Sequence, residues 1–166
     1  MICCLDVDYR EESAVTAAVL FPTWRSREAA STLTVTSEDV APYQPGEFYR
    51  RELPCLLAAL SALEAAPSVV LVDGFVWLPK GRPGLGHKLW EALGGEIPVV
   101  GVAKSVYRNH HGAAAVTRGY SRKPLWVTAQ GMATEDAAAR IREMHGPHRL
   151  PTMIKLADTL CREAED

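Results

Sequence analysis

The sequence predicts an α/β protein: one mixed sheet, antiparallel in its first three strands and then parallel through a β–α–β unit, flanked by helices. Two observations lead to this class. The first forty residues contain strand-like runs joined by polar turns. Farther along, apolar runs at residues 68–72 and 97–102 enclose a short helical pattern, and strands joined through a helix are parallel with a right-handed crossover.

The opening strands are predicted at residues 2–9, 14–21 and 33–36. Alternation in the first strand places Asp6 and Asp8 on one face. The second run is apolar and can pair back as a hairpin. The third is rich in Thr and alternates, which is typical of a half-buried edge strand.

A helix is predicted over residues 47–65. Its leucines recur at helical spacing and predict one buried stripe: Leu53, Leu56, Leu57, Leu60 and Leu63. Glu52 lies beside this stripe near the helix start. It either complements the helix dipole as a first-turn acid or reaches across to the end of a neighbouring strand.

The second half continues the α/β pattern. The central strand ends in Asp73 and Gly74, a loop follows from Phe75 to Pro83, and a helix at residues 85–93 is closed by two glycines. Lys104 leaves the next strand. A strand pair at residues 113–117 and 125–127, a helix over 134–144 with Thr134 as N-cap and a last helix over 151–165 complete one domain spanning residues 1–166.

Composition and cysteine usage indicate an ordinary globular protein. The chain is 48% hydrophobic and 23% charged, which excludes a disordered chain, and no apolar run is long enough to span a bilayer. The first residues lack signal-peptide features, and the four cysteines form no C-x-x-C motif, so free thiols are expected. We therefore expect a cytoplasmic monomer without a membrane partner.

Basic residues concentrate in the middle of the chain. Residues 74–134 contain only two acids and eight bases: Lys80, Arg82, Lys88, Lys104, Arg108, Arg118, Arg122 and Lys123. The net charge of this stretch is +6, whereas that of the whole chain is −2. Such a stretch indicates either a contact with a polyanion or a solvated face balanced elsewhere; charge alone favours neither.

Three acids can meet at one edge of the predicted sheet. Asp6 is in the first strand, Asp73 ends the central strand, Glu52 lies in the helix between them, and Asp158 of the last helix is a fourth candidate. Clustered carboxylates repel unless a cation neutralises them, and oxygen ligands favour Mg²⁺ or Mn²⁺. Such a site beside a basic loop suits phosphodiester hydrolysis, with Lys104 holding a phosphate oxygen.

The same residues have structural interpretations. Asp73 taken alone is a common turn acid after a strand, Asp158 an ordinary helix-face acid, and Asp8 a strand-end charge. His110 and His111 suit a solvated loop. The other histidines, His87, His145 and His148, are expected at the surface. The tryptophans Trp77, Trp90 and Trp126 are expected to pack in the core or in loops, and Trp77, which lies in the loop, is the best exception as a platform for stacking on a base.

Strands first, then a helix and a β–α–β unit, with acids on the first and fourth strands, is the ribonuclease-H-like plan. Five segments also resemble motifs of the endonuclease V family, in the same order. They are residues 5–9 (LDVDY), 42–54 (PYQPGEFYRRELP), 72–74 with 84–85 (VDG and GL), 100–105 (VGVAKS) and 150–158 (LPTMIKLAD). Each motif taken alone is a weak match, but five motifs in the same order and with matching gaps are a specific signal. The resemblance covers nearly the whole chain.

The resemblance implies a Mg²⁺-dependent nuclease, with Mn²⁺ as a substitute, that recognises inosine in DNA or RNA and cuts the second phosphodiester on its 3′ side. The metal-site acids of the family correspond to Asp6, Glu52 and Asp73, with Asp158 as its further acid. Lys104 corresponds to a lysine near the cleaved phosphate. Tyr43, beside Pro45 and Gly46, corresponds to the wedge that fills the place of the displaced base. Gly74 lets the backbone approach the base.

The chain departs from the family pattern in the loop after Gly74. Val76 replaces a glycine, and Pro79, Lys80 and Gly81 stand where the family has His, Pro and Arg. Two alternatives therefore remain beside inosine cleavage: a nuclease of the same fold with another DNA or RNA substrate, and an inactive nucleic-acid-binding module.

Overall fold

The computed structural model describes residues 1–38, 40–106 and 111–164. Its strands are β1 (Ile2–Tyr9), β2 (Ser13–Phe21), β3 (Ser31–Glu38), β4 (Val69–Asp73), β5 (Trp77–Leu78), β6 (Arg82–Pro83), β7 (Val99–Ala103), β8 (Ala114–Val116) and β9 (Leu125–Gln130). Its helices are α1 (Phe48–Ser61), α2 (Leu85–Ala92), α3 (Thr134–Glu143) and α4 (Thr152–Glu163).

Seven strands form one mixed sheet in the order β3-β2-β1-β4-β7-β9-β8. The first three strands are antiparallel, and β1, β4 and β7 are parallel. The β–α–β unit through α2 is confirmed. Strand β9 then returns antiparallel to β7 and pairs with β8. Strands β5 and β6 form a separate small hairpin in the loop after Gly74.

Helices cover both faces of the sheet because its central strands carry apolar side chains on both sides. On one face, Cys3 and Leu5 of β1 pack with residues of α1 and α2 such as Leu56 and Leu89. On the other face, Cys4 packs with residues of α3 and α4. Alternation along β1 therefore places Asp6 on the same face as Cys4. All four cysteines are buried and free.

Two details differ from the sequence-based predictions. Thr134 is not the N-cap of α3: the preceding residue, Ala133, is the N-cap, with extended backbone and no side-chain cap. In α1 only one of the five predicted leucines is fully buried. The fully buried residues of this helix are Glu52, Cys55, Leu56 and Ala59. The other four leucines are partly buried and pack against the same core.

Some predictions fall outside the described residues. They concern Arg108 of the basic stretch, His110 of the predicted solvated loop, and the end of the last helix at Glu165. Within the described ranges, no helix has the length and apolar character that crossing a membrane requires.

Candidate active site

The register of the central strands places Asp6 beside Asp73. The parallel ladder between β1 and β4 runs to the pair Leu5 and Val72, so the next residue of each strand is an aspartate. Both lie on the same face of the sheet. Both line a hollow of about 10 Å³ together with Lys104, a volume comparable to that of a single water or ion.

Glu52 reaches this edge from α1, on the opposite face of the sheet. Its side chain is buried, and its Oε2 atom has no hydrogen-bond partner among the described residues. The neighbouring Arg51 packs over the ring of Tyr9, with its guanidinium carbon 3.7 Å from the ring centroid. This contact with the end of β1 holds the start of α1 against the site.

Two carboxyl groups of the site, those of Asp6 and Glu52, have raised pKa values and resist ionisation. Burial, followed by the charge of Asp73, raises the pKa of Asp6 to about 6. Burial, followed by the charges of Asp73 and Asp6, raises the pKa of Glu52 to about 8. Moving carboxylates out of water is costly, and like charges add to that cost. Full ionisation of these acids would therefore place more negative charge at the site than its surroundings compensate.

Lys104 supplies one positive charge to the site. Its Nζ atom lies 3.4 Å from Oδ2 of Asp73. Burial by itself would lower the pKa of Lys104, but the carboxylates of Asp73, Asp6 and Asp158 outweigh it and the pKa is raised. Lys104 therefore stays protonated, and its charge interacts with the same acids.

Asp158 lies near the site but already has two partners. Its carboxylate is buried and contacts Nζ of Lys155 at 2.7 Å and the guanidinium of Arg162 at 2.9 Å. Burial would raise the pKa of Asp158, but these cations outweigh it and lower the pKa. As it stands, Asp158 is neutralised by its own helix, so joining a metal site would mean exchanging these partners.

The donor set fits a divalent cation, although it does not yet enclose one. Among the residues that the structure describes, no three His, Cys, Asp or Glu side chains are already placed to hold a metal ion. Asp6, Asp73 and Glu52 nevertheless offer hard oxygen donors of the kind that Mg²⁺ and Mn²⁺ prefer. The buried Oε2 atom of Glu52 has no hydrogen-bond partner among the described residues, so it is the donor atom that a bound cation would compensate most.

A cleft of about 930 Å³ opens beside Asp73. Tyr43 and Gly46 line one part of it, while Asp73, Gly74 and Lys104 line another. Tyr43 is 59% exposed and thus not packed in the core. Gly46 and Gly74 have φ angles of 80° and 112°, a conformation that favours glycine. Pro45, exposed, precedes Gly46. The roles of these residues stay predictions.

His87 differs from expectation, whereas Trp77 is packed, as expected. The His87 side chain is 15% exposed and lies against Trp77, with ring centroids 4.3 Å apart, and against Trp90 at 5.7 Å. His87 is therefore part of an aromatic cluster rather than a surface group, and it covers a face of the Trp77 ring. Asp8 contacts Arg10 at 3.7 Å, which agrees with a strand-end charge.

Arg149 contacts the site, although its role was not predicted from the sequence. Its guanidinium donates to the backbone carbonyl of Lys104, and also to those of Lys123 at 2.9 Å and Pro124 at 2.8 Å. It thereby ties the exit of β7 to the loop between β8 and β9. Its position beside the segment 150–158 was the available signal, but its partners are remote in sequence.

Comparison with protein families agrees with the resemblance seen in the sequence motifs. A family model described as Endonuclease V matches residues 1–132. Endonuclease V of Streptomyces coelicolor is 32% identical over 187 residues, covering 96% of this chain and 77% of the relative. That of Thermus thermophilus is 33% identical over 180 residues, covering 94% and 78%.

Solved structures have the same fold. Endonuclease V of Streptomyces avermitilis superposes with a TM-score of 0.76 at 28% identity, covering 97% of this chain and 79% of the other. Endonuclease V of Ciona intestinalis, crystallised with a 24mer DNA containing an inosine followed by a ribo-adenosine, gives a TM-score of 0.83 at 23% identity, covering 98% and 84%. The ribonuclease-H-like α/β architecture predicted from the sequence is confirmed.

Proposed function

Because the chain belongs to the endonuclease V family, we propose that it is a Mg²⁺-dependent endonuclease that hydrolyses a phosphodiester bond 3′ of inosine in DNA or RNA. The observation that carries the proposal is the placement of Asp6, Asp73 and Glu52 at one sheet edge, beside Lys104 and an open cleft. Such an enzyme would act in nucleic-acid repair or processing. The free, buried thiols suit a cytoplasmic location.

Asp6, Asp73 and Glu52 would hold the metal ion, with Asp158 as a further acid. When bound, the ion would polarise the phosphate and lower the pKa of an attacking water. The metal would also bring the positive charge that lets Glu52 and Asp6 ionise. Mn²⁺ accepts the same oxygen donors and is expected to substitute.

Lys104 would hold a phosphate oxygen of the scissile bond. In the absence of substrate it lies against Asp73, so it is already at the metal-binding edge. Its ammonium group remains charged and can stabilise negative charge that develops on the phosphate. Arg149 holds the backbone of Lys104 through its carbonyl, which limits how far this lysine can drift.

The cleft suits a base taken out of its stack. Tyr43 is an exposed ring between two prolines and can occupy the place that the base has left. Gly74 has no Cβ, and an added Cβ would meet nothing within 4 Å, so the backbone leaves room for a close approach. The Ciona intestinalis relative, crystallised with inosine-containing DNA, supports inosine as the base.

The test compares end-labelled strands that differ only in carrying inosine or adenosine at one position, as DNA and as RNA. With Mg²⁺ or Mn²⁺ we expect cleavage of the inosine strands at the second 3′ phosphodiester, and none in EDTA. Asp73→Asn is expected to reduce the rate by about 100-fold or more, since a metal contributes several kcal/mol to catalysis. Asp136→Asn, an exposed acid of α3, is the matched control.

Other outcomes would identify the alternatives. Equal metal-dependent cutting of inosine and adenosine strands would indicate a nuclease with a different substrate, consistent with the altered loop from Phe75 to Pro83. Salt-sensitive binding without metal-stimulated turnover would indicate a binding module. Cleavage that Asp73→Asn leaves unchanged would overturn the assignment of the site.

A further inference from the structure

The loop between β8 and β9 presents an aromatic ring entirely to solvent. We call residues 117–124 the Tyr120 loop. The relative exposure of Tyr120 is 103%, the largest of the exposed large hydrophobic residues in the described ranges. Because an exposed ring contributes no burial to the fold, folding stability does not account for its presence.

The base of this loop is held rigidly although its tip is free. Arg118 is buried, and its guanidinium donates to the carbonyls of four residues between α3 and α4: Met144, Gly146, His148 and Arg149. Gly119 has a φ angle of 60° and lies against the carbonyl of Pro147. The backbone next to Tyr120 is therefore fastened to the segment between α3 and α4, while the ring itself is exposed.

The Tyr120 loop is adjacent to the candidate active site. Arg149 donates to the carbonyls of both Lys104 and Lys123, so these two backbones lie within the span of one guanidinium. In the sheet, Ala103 of β7 pairs with Trp126 of β9, so the residues that precede Lys104 and follow Lys123 are also neighbours. The base of the Tyr120 loop therefore lies beside Lys104, which lines the cleft.

The charge of the loop suits a polyanion. Arg122 and Lys123 follow Tyr120 and are exposed. The sequence has no acidic residue between Glu96 and Glu135, so no carboxylate within that stretch competes for these side chains. An aromatic ring flanked by cations is the combination that binds single-stranded nucleic acid, through base stacking and phosphate contacts.

We propose that the Tyr120 loop is a second binding site for the substrate strand, in which Tyr120 stacks on an unpaired base flanking the cut and Arg122 and Lys123 contact its phosphates. This inference rests on the proposed function for the identity of the strand. It adds that the enzyme prefers a substrate that is single-stranded beyond the inosine, since a ring can stack only on a base with an open face.

Binding is measured in EDTA, so that the strand stays intact. The probes are a single-stranded inosine DNA of about twenty nucleotides, a truncated one of about six, and the long strand annealed to its complement. Tyr120→Ala is expected to weaken binding of the long single strand by about 5- to 100-fold, and to change binding of the short strand and the duplex little. Tyr120→Phe, which keeps the ring, retains affinity.

The two basic side chains are tested by salt dependence. Arg122→Gln with Lys123→Gln is expected to reduce the slope of log K against log salt by about 1.4, because each phosphate that a side chain neutralises on a single strand contributes about 0.7. Arg142→Gln, an exposed arginine of α3, is the control. A 2-aminopurine placed beside the inosine reports stacking directly: its fluorescence is quenched by the unaltered protein and by Tyr120→Phe, but not by Tyr120→Ala.

The inference is overturned if Tyr120→Ala binds the long single strand as tightly as the unaltered protein, if Tyr120→Phe loses as much affinity as Tyr120→Ala, or if the duplex is affected equally. Cleavage of the short inosine strand with Mg²⁺ tests the proposed function separately. If that cleavage fails while long-strand binding still depends on Tyr120, the proposed function falls and the loop remains a polynucleotide-binding site.

Discussion

Replacing Glu52 by Gln should make the metal-free protein more stable at alkaline pH. Glu52 is 5% exposed, and its Oε2 has no hydrogen-bond partner among the described residues. Burial and the neighbouring aspartates raise the pKa of Glu52 to about 8 from an ordinary 4.5. The folded state therefore keeps the proton of Glu52 over a pH range in which the unfolded chain releases it.

The direction of the effect follows from this difference. Below about pH 4.5 Glu52 is protonated in both states and costs nothing. As the pH rises from 4.5 to about 8, the unfolded state binds fewer protons and the free energy of unfolding falls. At 1.36 kcal/mol per pKa unit, the full loss is roughly 5 kcal/mol. Glu52→Gln stays neutral and avoids this loss.

The assay is urea unfolding in EDTA at about pH 5 and about pH 8.5, two values that span most of the range in which Glu52 destabilises the fold. Relative to the unaltered protein, Glu52→Gln should gain roughly 2–5 kcal/mol between the two pH values. Glu64→Gln, which removes an exposed carboxylate just after α1, is the control and should show no such gain. Adding Mg²⁺ at pH 8.5 should stabilise the unaltered protein more than Glu52→Gln, because binding to the folded state adds stability.

The reasoning is refuted if the stability difference between Glu52→Gln and the unaltered protein is the same at both pH values. Glu52 would then ionise normally in the folded state, and its negative charge would already be compensated without a metal ion. A gain that Glu64→Gln reproduces would likewise assign the effect to net charge rather than to this site.

Three further substitutions test how the site is held. Arg149→Lys cannot donate to three carbonyls at once, so cleavage should slow on the order of 10-fold while thermal unfolding changes less; unchanged kcat would contradict a positioning role. Gly101→Ala places a Cβ 2.6 Å from the carbonyl oxygen of Gly74 and should lower stability by about 1–3 kcal/mol, measured by urea unfolding. Thr128→Val removes the 2.8 Å acceptor of the Val76 amide and should cost about 1–3 kcal/mol; a neutral result would mean that water replaces the hydroxyl.

The strand and helix order was predictable because it depends on local patterns. Apolar β-branched runs predicted β4 and β7, and the short helix between them made the pair parallel. The acids at the strand ends were visible for the same reason. What local pattern could not supply was the depth of burial along α1, where Glu52, Cys55 and Ala59 are buried with Leu56 while the other leucines are only partly buried.

The burial and partners of each acid were beyond the sequence. Glu52 had two open interpretations, and only the structure places it at the end of β1 and β4, buried and with an Oε2 atom that has no hydrogen-bond partner among the described residues. Asp158 was an equally open case, and the structure pairs it with Lys155 and Arg162. Both outcomes depend on which helix face meets the sheet, a choice made by packing over the whole molecule.

The sequence by itself determined the fold class, the family resemblance and the identity of the acids and the lysine, because motifs and periodicity are properties of neighbouring residues. Only the tertiary structure decided that Asp6 and Asp73 share one face in register, and that Arg149 joins Lys104 to the Tyr120 loop. These contacts connect residues far apart in the chain. Their geometry follows from strand register and helix packing, which no single segment specifies.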